Sequence, residues 1–167
     1  MKIKIEKELK TRIEKNLKEA AVKTFEDICF MYQVPELEEI QKNLAPKAAA
    51  EVKYRRDFTG KLVIETSSGL ESAIAANMLS IDLPSSQQKR DALGEVANII
   101  CGNIVPSLGI SGHGYKIESP KPLNKDELLK EEGREKPLAE FTLNLNQGRA
   151  DIKFFVDNYY LSKEKKG

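Results

Sequence analysis

Asp91, Glu95, Asn98 and Gly102 recur at intervals that put them on one stripe of a helix turning about 100° per residue. Asn98 carries an amide that both donates and accepts hydrogen bonds, and Glu95, one turn away, carries a charge. Such a pair can hold a polar group brought to it from outside the chain. The alternative is an ordinary solvated helix face without function, and three features argue against it. Glu95 and Asn98 have no bulky charged neighbours on their stripe, where long Lys and Glu side chains normally clothe exposed helix. The stripe contains Asn, a mediocre helix former. It also contains Gly102, with Gly94 at its edge, and each glycine costs roughly 1 kcal/mol against Ala in a helix interior. Small residues on an exposed face let another backbone or a buried group approach closely.

The opposite stripe of the same helix, Leu93, Val96, Ala97, Ile100 and Ile104, is the core-facing one. Ser85-Ser-Gln-Gln88 just after Pro84 is a capping-box pattern that starts the helix, and Pro106 and Gly109 close it.

Other elements must support this helix. Leu9, Ile13, Leu17, Ala20, Ala21, Phe25 and Ile28 predict a first amphipathic helix over about residues 6–32, ended by Pro35. Its first part is rich in Lys, which reads as a solvated face or, as the weaker alternative, a scaffold contact for an acidic partner. Residues 36–49 read as a short helix or linker. Strands are expected over about 50–58 and 61–67, with Gly60 as the hairpin turn between them. An Ala-rich helix follows over about 70–80. Residues 111–119 read as loop and strand, and 124–136 as a charged helical or mobile stretch. A second hairpin joins 138–145 to 149–156 through Asn146-Gln-Gly148. Two amphipathic helices, each followed by a hairpin, predict an α/β two-layer protein with long helices packed on one face of a largely antiparallel sheet.

The 167 residues suffice for a single domain. A net charge of +1 gives no global reason to invoke nucleic acid or an anionic membrane. Cys29 and Cys101 lie in no metal-ligand spacing and sit among apolar residues, as buried free thiols do. Neither a signal segment nor an apolar run of the ~18 residues that a membrane span needs is visible, so the expected location is the cytoplasm. Ser111 and His113 in Gly-Ile-Ser-Gly-His-Gly do not form a GxSxG elbow, because His113 stands at the last position. With that single His and no clustered Cys, no metal site is expected, and the glycines do not open a phosphate-cradling helix.

The stretch Ala92-Leu-Gly-Glu-Val-Ala-Asn-Ile-Ile-Cys-Gly102 resembles the motif helix of the CheX/CheC/FliY chemotaxis phosphatases. Their pattern is Ser or Asp, then Glu, then Asn at these helical spacings, and a Pro beyond a long spacer. Asp91, Glu95, Asn98 and Pro120 occupy matching places. More weakly, the similarity extends over about residues 13–156. Where CheC-type members repeat the motif on the first helix, this chain has Glu19-Ala-Ala-Val22, so one site per chain is expected, as in CheX. The implied organisation is an N-terminal helical extension (1–12), a single CheX-like phosphatase domain with the CheC-like fold (13–160) and a flexible tail (161–167).

The resemblance implies hydrolysis of the aspartyl phosphate of a phosphorylated CheY-type response regulator. Asn98 would position the attacking water, and Glu95 would pair with the regulator's active-site Lys. Gly94 and Gly102 would let the helix enter the regulator's cleft, and Asp91 and Pro120 would support it. No cofactor of the chain's own is implied; Mg2+ belongs to the partner. A homodimer joined through sheet edges is implied too. The competing expectation is a dimeric CheX-like adaptor that binds a receiver domain or flagellar motor component without catalysis.

Overall fold

A computed structural model describes residues 2–35, 46–108, 114–132 and 136–162. Its elements in chain order are β1 (Ile3–Ile5), α1 (Lys7–Cys29), β2 (Ala48–Arg55), β3 (Thr59–Thr66), α2 (Leu70–Leu79), α3 (Ser86–Ile104), β4 (Lys116–Ile117), β5 (Lys121–Leu123), α4 (Lys125–Glu132), β6 (Ala139–Leu145), β7 (Gly148–Val156) and β8 (Tyr159–Leu161). A 3-10 turn, Val105–Leu108, continues α3.

The main sheet runs β4-β2-β3-β7-β6, antiparallel throughout, and β5 also pairs with β2. Strand alternation sends Ala50, Val52, Leu62, Ile64, Ile152 and Phe154 to one side. There they meet Ile13, Leu17 and Phe25 of α1, Leu70 and Ile74 of α2, and Leu93, Val96 and Ile100 of α3 in one buried cluster. The three longer helices thus share one face of the sheet, as their apolar stripes require. On the other side Ala49, Val63 and Phe155 form a smaller cluster with Leu123 and with Leu128 of α4. Glu65 is buried on that side and accepts a hydrogen bond at 3.2 Å from Lys153 Nζ, so its charge is matched.

The position of α3 is set locally and by the edge strand. Ser85 accepts from the Gln88 backbone N–H at 3.1 Å, while the Gln88 side chain accepts from the Ser85 N–H at 2.8 Å, the reciprocal bonds of a capping box. β4 and β5 are two pieces of one interrupted edge. β4 pairs with β2 at Tyr54–Arg55 and β5 pairs with it at Ala49–Glu51. Between them the Glu118 N–H still reaches Lys53 O at 2.8 Å, and Pro120 lies in the break. Proline has no N–H to offer a ladder, so a strand edge is where it can stand.

Several expectations need correction. Residues 3–5, expected inside a helical extension, form a strand parallel to β8, with Ile3 opposite Tyr159 and Ile5 opposite Leu161. Ile5 is buried in the main core, so burial ties the N-terminus to the domain. Leu161, expected to begin a flexible tail, is a strand residue, and the next N–H, of Ser162, bonds to Ile5 O at 3.0 Å. Gly60 is not the hairpin turn. It is paired inside β3 opposite Tyr54, and Arg56, Asp57 and Phe58 connect the strands. β2 begins at Ala48, inside the expected linker, and the rest of that expectation at 36–45 lies outside the described residues.

Candidate functional site

Along α3 the two stripes separate as the period requires. Leu93, Val96, Ala97, Ile100 and Ile104 are buried, Asp91 and Glu95 are exposed, and Asn98 and Gly102 are half-buried. Neither Glu95 nor Asn98 makes a side-chain hydrogen bond or an ion pair among the described residues. Asn103, on the same helix, shows the usual alternative, its amide donating back to Ile99 O at 3.0 Å. The Asn98 amide is not used up in that way. It is half-buried, and among the described residues both of its hydrogen-bonding functions are open.

Asp91 is engaged. Its Oδ1 accepts from Gln87 Nε2 at 2.7 Å, one turn back, and Gln87 Oε1 in turn accepts from Arg90 at 3.3 Å. This ties Asp91 to its own helix. A cleft of about 230 Å3 opens beside the chain of contacts, lined by Gln87, Arg90, Asp91, Gly94, Glu95, Pro120 and Pro122. It brings together Asp91, Gly94, Glu95 and Pro120, four of the six residues singled out from the sequence. Asn98 and Gly102 continue the stripe on the following turns.

The two glycines differ from expectation in what they admit. Gly94 is buried, and a Cβ there would stand 3.0 Å from Pro120 Cβ, so its smallness serves the chain's own edge strand. At Gly102 an added Cβ would meet Ile117 Cδ1 at 4.0 Å, an ordinary contact. Only Gly102 is placed to leave room for a visitor. Gln87, Arg90 and Pro122 were not anticipated as lining. For the first two the signal was available, since they precede Asp91 by one turn and by one residue.

Burial pushes the thiols of Cys29 and Cys101 up to about 12, which keeps both protonated and inert. Ser111 and His113 lie outside the described residues. Among the described residues no three His, Cys, Asp or Glu side chains come together as a metal site, and no helix is long and apolar enough to cross a membrane.

Residues 48–142 match the family model of chemotaxis phosphatase CheX. The chain belongs to the CheX family. The matched span covers the sheet's central hairpin, α2, all of α3 and the Pro120 segment. Solved structures of similar fold include the chemotaxis protein CheX from Desulfovibrio desulfuricans, at TM-score 0.65 and 18% identity, covering 87% of this chain and 99% of that one. CheX from Vibrio vulnificus matches at TM-score 0.63 and 15% identity, over 89% of this chain and 98% of that one. A third is the CheX–CheY–BeF3–Mg2+ complex from Borrelia burgdorferi, at TM-score 0.59 and 14% identity, over 85% and 96% of the two chains. At these identities the likeness is one of fold, and it bears out the two-layer CheC-like architecture expected from the sequence. No curated protein matches the chain.

Proposed function

We propose that this CheX-family protein hydrolyses the aspartyl phosphate of a CheY-type response regulator, with Asn98 and Glu95 as the residues that act on it. The observation that carries the reading is the pair on α3, open and without a partner among the described residues, in a chain whose family is that of a chemotaxis phosphatase. The Borrelia CheX of similar fold, found in complex with CheY, supports the choice of partner.

Phosphoryl transfer demands little covalent work from the protein; it depends on holding a water in line with the leaving oxygen and on stabilising charge. The Asn98 amide accepts a hydrogen bond from that water through Oδ1 and donates through Nδ2, so a single side chain fixes its position and orientation. Glu95, one turn earlier on the same face, meets the regulator's active-site Lys and sets the register of approach. The carboxylate of Asp91, bonded to Gln87, steadies the helix beside them. Mg2+ enters with the regulator, and a homodimer joined through a sheet edge belongs to the same reading, its test being the mass in solution.

The deciding experiment adds the protein in substoichiometric amounts to a phosphorylated receiver from the same cell and follows phosphate release. Multiple turnovers are expected. Asn98→Ala should lower the rate about a hundredfold, the scale on which losing one preorganised polar contact to a transition state is felt, with the fold intact by circular dichroism. Glu95→Ala should weaken docking as well as slow the reaction. Binding without any acceleration of phosphate loss would replace the phosphatase by the adaptor.

A further inference from the structure

The exposed arc of α3 is bounded differently on its two flanks. Gly94 lies about 40° to one side of Asn98, and there Pro120 closes the surface. On the other flank Ile99 and Asn103 lie about 100° and 140° round from Asn98, and the surface falls into a groove against α1. This groove measures about 370 Å3, larger than the cleft at Glu95, with Ile28 and Ile99 as half-exposed aliphatic lining and Lys23 and Asp27 at its rim.

Two pairs four apart on α1 are bonded, Lys10 with Glu14 at 3.0 Å and Lys15 with Glu19 at 3.9 Å. Lys23 and Asp27 have the same separation yet form no ion pair with each other or with any described residue. Ala20, Ile28 and Ile99 are the apolar part of a mixed lining that also includes Glu19, Thr24 and Asn103, and among the described residues Lys23 and Asp27 carry no matching charge.

We propose that the α1–α3 groove is the second half of the regulator-docking surface and selects which receiver binds, a proposal that rests on the reading of Glu95 and Asn98 given above. A stable protein contact covers roughly 800 Å2 per partner, far more than a few motif side chains supply. A domain seated on Asn98 must spread sideways. Pro120 walls the cleft on one side, and on the other the groove begins at Ile99, about 100° round the helix from Asn98. The occupant fitted to it is a segment of the phosphorylated receiver that presents an aliphatic or aromatic side chain to Ile28 and Ile99. Flanking that side chain, a carboxylate meets Lys23 and a cation meets Asp27. Charge placed at a contact rim selects among related partners more than it adds affinity, which suits a choice among receivers of one fold.

The test titrates a beryllofluoride-loaded CheY-type receiver into the full chain and into Lys23→Glu and Asp27→Lys. Glu8→Lys, on the first turn of α1 and outside the groove, is the control for net charge. Each rim variant should raise Kd about tenfold and KM for hydrolysis in parallel, with kcat within twofold and unchanged melting temperature. The control should match the unaltered chain. A Kd within twofold of the unaltered chain for both rim variants overturns the proposal and leaves the phosphatase reading standing if hydrolysis persists. Receiver binding without hydrolysis overturns the phosphatase reading, while the same Kd comparison still decides the groove. Failure of the unaltered chain to bind any loaded receiver overturns both.

Discussion

Gly94 and Pro120 are fitted to each other: a methyl group added at residue 94 would stand 3.0 Å from Pro120 Cβ. The contact joins the helix that bears Glu95 to a break in the sheet's edge strand, where β4 ends its pairing with β2 and β5 resumes it. Lys121 and Glu127, paired at 2.9 Å, tie the same edge to α4. Pro120 is therefore held from the sheet side, and Gly94 is the only residue that lets it sit so close to α3. The wall of the cleft at Asp91 and Glu95 is as much a product of sheet register as of helix sequence.

Gly94→Ala separates these contributions. Alanine favours helix over glycine by roughly 1 kcal/mol, which offsets part of the steric cost, so the melting temperature should change by only a few degrees. The added methyl displaces Pro120 by a few tenths of an ångström and reshapes the cleft beside Glu95. The expected result is a several-fold higher KM for the phosphorylated regulator at nearly constant stability. Steady-state hydrolysis together with thermal melts checks it. Loss of fold instead would mean that Pro120 cannot yield.

Gly60 poses a harder constraint, and its substitution should unsettle the fold rather than the site. A Cβ at this position would lie 2.0 Å from Phe155 O and 2.4 Å from Tyr54 Oη. Tyr54 donates to that same carbonyl at 2.7 Å, and its ring stacks on Phe154 with centroids 5.0 Å apart. An alanine at residue 60 must therefore break the hydroxyl bond and push β3 from β7 together. Gly60→Ala is expected to cost about 3 kcal/mol, and the melting temperature should fall by about 10 °C. Tyr54→Phe, which removes only the hydroxyl, should cost about 1 kcal/mol, and the double variant should cost less than the sum, since the clash with Oη is gone. Denaturant unfolding of the three variants measures this.

Much of α3 was legible because its signals are local. The 3.6-residue period, the Ser85–Gln88 cap and the small residues on the open stripe all lie within one segment, and each carries its meaning without knowledge of the rest of the chain. What the sequence concealed depends on distant partners. Gly94 reads as an invitation to a visitor until the edge strand places Pro120 against it. Gly60 reads as a turn because glycine favours turns, and only the β3–β7 register shows it serving close approach to Phe155. β1 is three residues long, too short for any period, and is a strand because β8 returns beside it. The α1–α3 groove was hidden for the same reason, since Lys23 and Asp27 look like a solvated helix pair until Ile99 is set opposite them.

The two thiols give a prediction that separates the core from the site. Burial raises Cys29 and Cys101 to about 12 from the ordinary thiol value of 9.0, near which both ionise in the unfolded chain. Between pH 9 and 12 the unfolded state then binds fewer protons than the native state, so stability falls as pH rises; below the unfolded value the thiols contribute no slope. Burial also raises the Tyr54 hydroxyl, which acts in the same direction. The native protein should accordingly resist alkylation by iodoacetamide at pH 8, while the denatured chain reacts at both positions. Its denaturation midpoint should decline above pH 9. Replacing both cysteines with alanine should flatten that decline without altering hydrolysis of the regulator phosphate, because neither thiol lies in the cleft or the groove. Rapid labelling of Cys101 in the native state would show that the inner face of α3 opens to solvent, and the rigid presentation of Glu95 and Asn98 would then have to be given up.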